Sequence, residues 1–292
     1  LNDRGEVLDD AIVFQISPES YLVVVNAAMG GVIARHLRDN RNREEVEIDD
    51  LTDRVGKMDL QGPQSARILT RVLADPEKAF EGLVYFSFKG HFDPASPLAD
   101  AVRLKDGTPL LLSRTGYTGE FGFELFVAPE RFVFLWETIA AAGAPLGMIP
   151  CGLGARDSLR TGAMLPLSHQ DIGPWPFINH PWPFALPFNG DGSAFTKTFV
   201  GAEALLHGEN REYTHAFVGE DLRKVSTVAG EPARVLDAAG KEIGSVLTCV
   251  TDMGIGRHEG RIYSIASPDK PEGYDPPGLC CGFLKVRRKL SA

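Results

Sequence analysis

The sequence predicts an α+β fold. Helical and strand-like segments are interleaved up to about residue 150 without the regular alternation of a parallel sheet, and short β-rich segments with turn signals follow from Tyr213 onward. A length of 292 residues with 43% hydrophobic and 24% charged content is that of a folded chain of two or three packed units.

Residues 8–15 and 21–25 read as strands, the second a β-branched apolar run suited to a buried position. Met29, Val32, Ile33 and Leu37 stand at helical spacing over 27–37, although Gly30 and Gly31 weaken that helix. Strands are expected at 44–50 and 54–60, the latter stopped by Gly62 and Pro63. A helix over 63–74 opens on proline, as helix N-termini favour. Further strands are expected at 84–88 and 101–104, around a Pro-containing loop at 93–100. Residues 111–113 and 121–127 form two apolar arms joined by a turn holding Gly116 and Gly119. A helix over 129–142 turns Phe132, Leu135, Trp136 and Ile139 to one side, and another spans 154–164.

Residues 165–189 hold six prolines, which suppress helix and central strand alike, so an ordered aromatic loop is expected. Strands at 215–218, 233–237, 242–250 and 279–286, with 237–241 as a hairpin turn, predict a small β-barrel or sandwich. Residues 256–278 read as a loop at its rim. Leu1 and the apolar run near residue 286 make both ends read as cut.

A net charge of −9 argues against nucleic acid or an anionic membrane as the main partner, and the run 285–289 (KVRRK) reads as a solvated strand end. No apolar run is long enough to span a bilayer and the start does not read as a signal peptide, so a soluble, cytoplasmic protein is expected. Cys151, Cys249, Cys280 and Cys281 form no metal-ligand spacing, and Cys280 and Cys281 are expected to alternate across a strand, one buried and one exposed. His169, Asp171 and His180 fit no familiar metal site, and no metal is expected.

Candidate chemistry concentrates in the glycine turn and the helix after it. Arg114, Tyr117, Glu120 and Glu124 place a cation, a phenol and two carboxylates within eleven residues. Glu124 interrupts an apolar run, so it either faces solvent by strand alternation or is buried and needs hydrogen-bond donors. Arg156 and Arg160 lie four apart on one helix face, suited to clamping a carboxylate; a surface ion pair of Arg160 with Asp157 is the plainer alternative.

The strings LN–G–LDD–IV (1–13), YLVVVN (21–26), LQGP (60–63), SRTGYTGEFGFEL (113–125), GLGARDSLR (152–160) and FVGAEAL (199–205) together resemble the aminomethyltransferase family, the T-protein of the glycine cleavage system and its relatives. The resemblance implies a ferredoxin-like folate-binding body with a C-terminal β-barrel. It also implies transfer of a one-carbon unit to tetrahydrofolate from an aminomethyl group on a lipoylated carrier protein, with release of ammonia. The implied segments are 1–50, part of a first folate-binding subdomain; 51–147, a second α+β subdomain; 148–205, a helix and Pro/aromatic connector; and 206–292, the barrel. Asp10 matches the essential carboxylate, which would lie against the pterin. Asn26, Tyr117, Glu124 and Arg156 match folate-site positions, Glu124 as the acceptor for the pterin's adjacent N–H groups. Phe14, the run LSHQDIGPWPFINHPW and the enlarged 256–278 segment depart from the family pattern and bear on the donor. A tetrahydrofolate-dependent demethylase of a small sulfonium, amine or ether, with Trp175 and Trp182 caging the cation, is the second class implied. A non-catalytic folate-binding relative serving iron–sulfur assembly is the third.

Overall fold

The computed structural model describes residues 1–42, 45–176, 185–207, 212–228, 230–287 and 290. They form two compact units: Leu1–Ile12, Val23–Met29 and Asp157–Ala292 make the first, Val13–Leu22 and Gly30–Arg156 the second. Strands β1 (Ile12–Ser17) and β2 (Ser20–Val24) pair as a two-stranded sheet. The first begins four residues later than expected because Asp9, just before it, turns its side chain to hydrogen bonds rather than to a strand face.

In the second unit, helix α1 (Gly30–Asp39) precedes β3 (Gly56–Gln61). Residues 45–50, expected as strand, are irregular and join no ladder. Alternation along β3 buries Met58 and Leu60 on one face and leaves Lys57, Asp59 and Gln61 on the other. Helix α2 (Ser65–Val72) buries Ile68, Leu69 and Val72 against that apolar face. Sequence reading missed helix α3 (Pro76–Phe80), whose start is well signalled: the Asp75 side chain accepts from Lys78 N at 3.0 Å, and proline occupies the first turn.

Strand β4 (Phe88–Gly90) corrects the strand expected at 84–88. Val84, Tyr85 and Phe86 lie in an exposed turn, with Ser87 N bonded to Val84 O and Phe86 at φ +59°. Residues 101–104 make only isolated bridges. Strands β5 (Leu111–Ser113) and β6 (Gly122–Val127) complete an antiparallel sheet of order β3-β6-β5-β4. Leu112, Phe123, Leu125 and Val127 join the α2 core, to which α4 (Phe132–Gly143) adds Leu135 and Ile139. On the sheet's other face Phe14 packs against Phe88 and Phe126, with ring centroids 5.0 and 6.0 Å apart.

Helix α5 (Leu153–Gly162) carries the GLGARD segment and leads into the first unit, where α6 (Ala202–His207) follows the aromatic loop. The pair expected at the surface is real, with Arg160 Nε donating to Asp157 Oδ1 at 2.7 Å, but Arg160 is fully buried. The reason is Asp171, which pairs with its guanidinium from inside the loop.

Strands β7 (Tyr213–Gly219), β8 (Arg234–Leu236), β9 (Glu242–Asp252), β10 (Ile255–His258), β11 (Arg261–Ser264) and β12 (Leu279–Val286) follow. They form one antiparallel sheet of order β7-β12-β9-β8 and a separate β10–β11 hairpin. Among the described residues the ladder does not close into the expected barrel: β8 is three residues long, and β7 and β8 remain edges. The β10–β11 hairpin lies inside the segment read as loop. Its turn uses Glu259 and Gly260 at φ +49° and +81°, the left-handed pair of a two-residue hairpin turn.

Both Cys280 and Cys281 are buried, because β12 lies between β7 and β9 and each of its faces is packed. Burial pushes both thiols up to about 12, which removes them as nucleophiles near neutral pH. No helix of the described residues is long and apolar enough to cross a membrane.

Candidate functional site

In the first unit the LDD acids stand just before β1, and Asn26, two residues past the end of β2, meets them. Asn26 Nδ2 donates to Asp10 Oδ1 at 2.8 Å and to Asp9 Oδ1 at 2.8 Å, and Asn26 N donates to Asp9 Oδ2 at 3.0 Å. Asp9, which sequence reasoning passed over, is the anchor: its side chain is 1% exposed and also accepts from Ser168 Oγ at 2.9 Å, with His169 Nε2 3.5 Å away. Asp10 is half-buried and takes only Asn26 contacts among the hydrogen bonds found. One acid is therefore locked and its neighbour is presented.

In the second unit the structure decides between the two readings of Glu124. The residue is 5% exposed, because β6 is central in its sheet and buried along its whole length on both faces. The chain itself supplies the donors that such a carboxylate needs. Lys57 Nζ lies 2.5 Å from Oε1, and Thr115 Oγ1 donates to Oε2 while lying 2.6 Å from Ser113 Oγ. Lys57 also reaches Asp59 Oδ2 at 3.0 Å.

Sequence reasoning missed Lys57, although the alternation Lys57, Asp59, Gln61 on a strand with Met58 and Leu60 opposite marks a polar stripe. Burial acts to lower the Lys57 pKa, but the carboxylates of Asp59 and Glu124 raise it above the ordinary lysine value. The stability from this pairing is then fully present below the ordinary lysine range and lost as pH rises through the raised value. Thermal melts across alkaline pH are expected to show a steeper loss for the parent protein than for Lys57→Met.

The glycine turn is fixed by close approach. Gln61 Nε2 donates to Phe123 O at 3.1 Å and Thr115 O at 3.3 Å, while its Oε1 is a buried acceptor with no partner. A Cβ on Gly122 would lie 2.0 Å from that Oε1 and 2.7 Å from the Gln61 Cα, so only glycine lets the hairpin seat on β3. Gly122→Ala is expected to cost about 1–3 kcal/mol in denaturant unfolding. Beyond the turn, Arg156 of α5 stands over the Tyr117 ring at 4.6 Å from its centroid. Arg156, not Arg160, is thus the cation available at this end of α5.

Each unit assembles its own part. Asp10 meets Asn26 in the first, while in the second Tyr117 meets Arg156, and Glu124 joins the turn through Thr115. Two surface clefts, of about 370 and 350 Å³, are lined by Gly219, Asp221 and Cys280 among others and by Gln15, Lys78 and Lys89 among others; neither lining includes a residue of these groups. Among the described residues no cluster of three or more His, Cys, Asp or Glu could hold a metal ion. His180 and Trp182 lie outside the described residues, as do positions 288 and 289 of the basic run.

The family profile described as GCVT N-terminal domain matches residues 1–175. An aminomethyltransferase of Caldanaerobacter subterraneus subsp. tengcongensis is 33% identical over 76% of this chain and 54% of its own length. One of Streptomyces avermitilis is 39% identical over 91% of this chain and 67% of its own. The crystal structure of glycine cleavage system aminomethyltransferase T from Bartonella henselae superposes with a TM-score of 0.68 at 24% identity, covering 98% of this chain and 66% of that one. The chain thus spans little more than half the length of the first of these relatives, and the structural likeness extends to mixed helices and antiparallel sheets. On the profile match and the shared sequence, the chain belongs to the GCVT family, that of the glycine cleavage aminomethyltransferases.

Proposed function

We propose that this protein is a tetrahydrofolate-dependent aminomethyl transferase of the glycine cleavage T-protein type, taking a one-carbon unit from an aminomethyl group on a lipoylated carrier and releasing ammonia. The observation that carries the reading is the buried Glu124 carboxylate on the polar face of β6. Each of its oxygens takes one bond from the chain, and a carboxylate has about four acceptor positions, so two remain for the adjacent N–H donors of a pterin edge. The unpartnered Gln61 Oε1 adds a buried acceptor beside the same turn, which suits a donor-rich ring.

Tyr117, held under Arg156, supplies an aromatic wall, and Arg156 a fixed cation. Asp10, presented by Asn26, is the acid assigned to proton handling in the transfer. Bound tetrahydrofolate supplies the nitrogen that accepts the one-carbon unit. The finer architecture belongs to the same proposal: ferredoxin-like subdomains at 1–50 and 51–147, with the open antiparallel sheet centred on the eleven-residue β9 following them.

The demethylase reading loses support at Trp175. That indole is 8% exposed, donates Nε1–H to Thr214 Oγ1 at 3.2 Å, and has Lys285 Nζ 4.5 Å from its ring centroid, so it is not an open cage. Incubation with tetrahydrofolate and an aminomethylated lipoyl carrier is expected to give methylene-tetrahydrofolate and ammonia. A methyl-tetrahydrofolate product from a small methyl donor would overturn the aminomethyl assignment, and failure to bind tetrahydrofolate would overturn the whole reading.

A further inference from the structure

Lys57 extends the Glu124 carboxylate into a row of three groups with a fixed order. An ammonium carries three N–H donors. The structure engages two, one on Glu124 Oε1 at 2.5 Å and one on Asp59 Oδ2 at 3.0 Å. The side chain is 34% exposed, so the third N–H has an open side. Glu124 Oε2 and Oε1 each keep an acceptor position beyond Thr115 and Lys57. Along the polar face of β3 and β6 the row therefore reads acceptor, acceptor, donor.

An amino-oxo pteridine presents the complementary row along one edge: an exocyclic amino donor, a ring N–H donor, and an oxo acceptor. We infer that Lys57 reads the oxo group, and so sets the substrate class of this site as amino-oxo rather than diamino pteridines. The inference rests on Glu124 holding the ring. A diamino ring has a bare nitrogen where the carboxylate expects N–H, and an amino group where the ammonium expects an acceptor. Two mismatches of this kind leave buried polar groups unpaired, which is how a hydrogen-bonding site rejects an analogue. Asp59 acts as the second anchor that aims the ammonium. The raised Lys57 pKa keeps it charged through neutral pH.

The test uses two fluorescent probes, a hydroxymethyl pterin and its diamino counterpart, titrated into the folded protein in near-neutral buffer, where both rings are neutral. The parent protein is expected to prefer the pterin by roughly ten- to a hundredfold. Lys57→Arg, which keeps charge and donors, should retain the preference, and Lys57→Met should bring the two affinities within about threefold. Thermal melts identify folded variants. If Lys57→Met does not fold, Lys57→Gln serves, because an amide can turn either its carbonyl or its amino group to the ring and so reads both. A parent protein that binds both probes equally, or a Lys57→Met or Lys57→Gln protein that keeps the full preference, overturns the inference while leaving Glu124 as the ring anchor. A parent protein that binds neither probe overturns the ring-binding reading and the inference together.

Discussion

Asp10→Asn is expected to lower turnover with tetrahydrofolate and aminomethyl donor by roughly a hundred- to ten-thousandfold, the range for removing a positioned acid–base group. The substitution is close to isosteric, and its side-chain oxygen can still accept from Asn26 Nδ2, now at 2.8 Å. Thermal midpoint and tetrahydrofolate affinity should therefore move little while the rate collapses. Asp9→Asn provides the contrast. Asp9 accepts from Asn26 N, Asn26 Nδ2 and Ser168 Oγ, so an amide nitrogen there meets a donor and a buried group loses its partner. That change is expected to cost about 1–3 kcal/mol of stability, with any loss of rate following from displaced Asn26. Parallel measurement of melting temperature and turnover in the two variants separates the roles. An Asp10→Asn protein with undiminished turnover would remove Asp10 from the chemistry.

The contrast between these two acids shows where sequence stops being legible. Periodicity is local, so α2, α4, α5 and β12 could be read from the spacing of their apolar residues, as could the glycine turn from Gly116 and Gly119. Burial of a polar side chain is not local. Nothing in the dipeptide Asp9–Asp10 says which acid Asn26 and Ser168 will lock, because Ser168 is 159 residues away from Asp9. Glu124 alternates with Phe123 and Leu125 as an exposed residue would, and only its central place in the β3-β6-β5-β4 sheet buries it.

Lys57 follows the same logic: a lysine in a strand reads as solvated until the opposing strand brings a carboxylate to it. Arg156 and Arg160 have near-identical local surroundings yet diverge, one over Tyr117 and the other inside the first unit. Family resemblance supplied the proposed site residues that matched known strings, and it was silent on Asp9 and Lys57, which hydrogen-bond or pair with their side chains. The strand expected at 84–88 failed for a related reason: Val84, Tyr85 and Phe86 have strand composition, but their neighbour β5 is only three residues long and pairs with Phe88–Gly90.

Asp171→Ala is expected to be the most destabilising single change outside the proposed site. Asp171 and Arg160 are both fully buried. Asp171 Oδ1 accepts from Thr248 Oγ1 at 2.6 Å and Oδ2 from Leu167 N at 2.9 Å, while its carbonyl accepts from Thr214 Oγ1 at 2.9 Å. Arg160 also donates to Leu165 O at 3.2 Å and Thr248 Oγ1 at 3.3 Å, so the pair ties α5, the aromatic loop and β9 together. Truncating the acid strands a buried guanidinium with only half-exposed Asp157 as counter-charge, and breaking a buried pair from one side costs about 3–5 kcal/mol. At about 2–4 °C per kcal/mol for a unit of this size, the melting temperature should fall by roughly 10 °C. The double variant Arg160→Met/Asp171→Leu removes both charges and is expected to recover most of that loss, since an apolar pair of similar volume is often as stable as the ion pair. A double variant no more stable than Asp171→Ala would mean that the hydrogen bonds to Leu167, Thr248 and Leu165, rather than charge pairing, hold this junction.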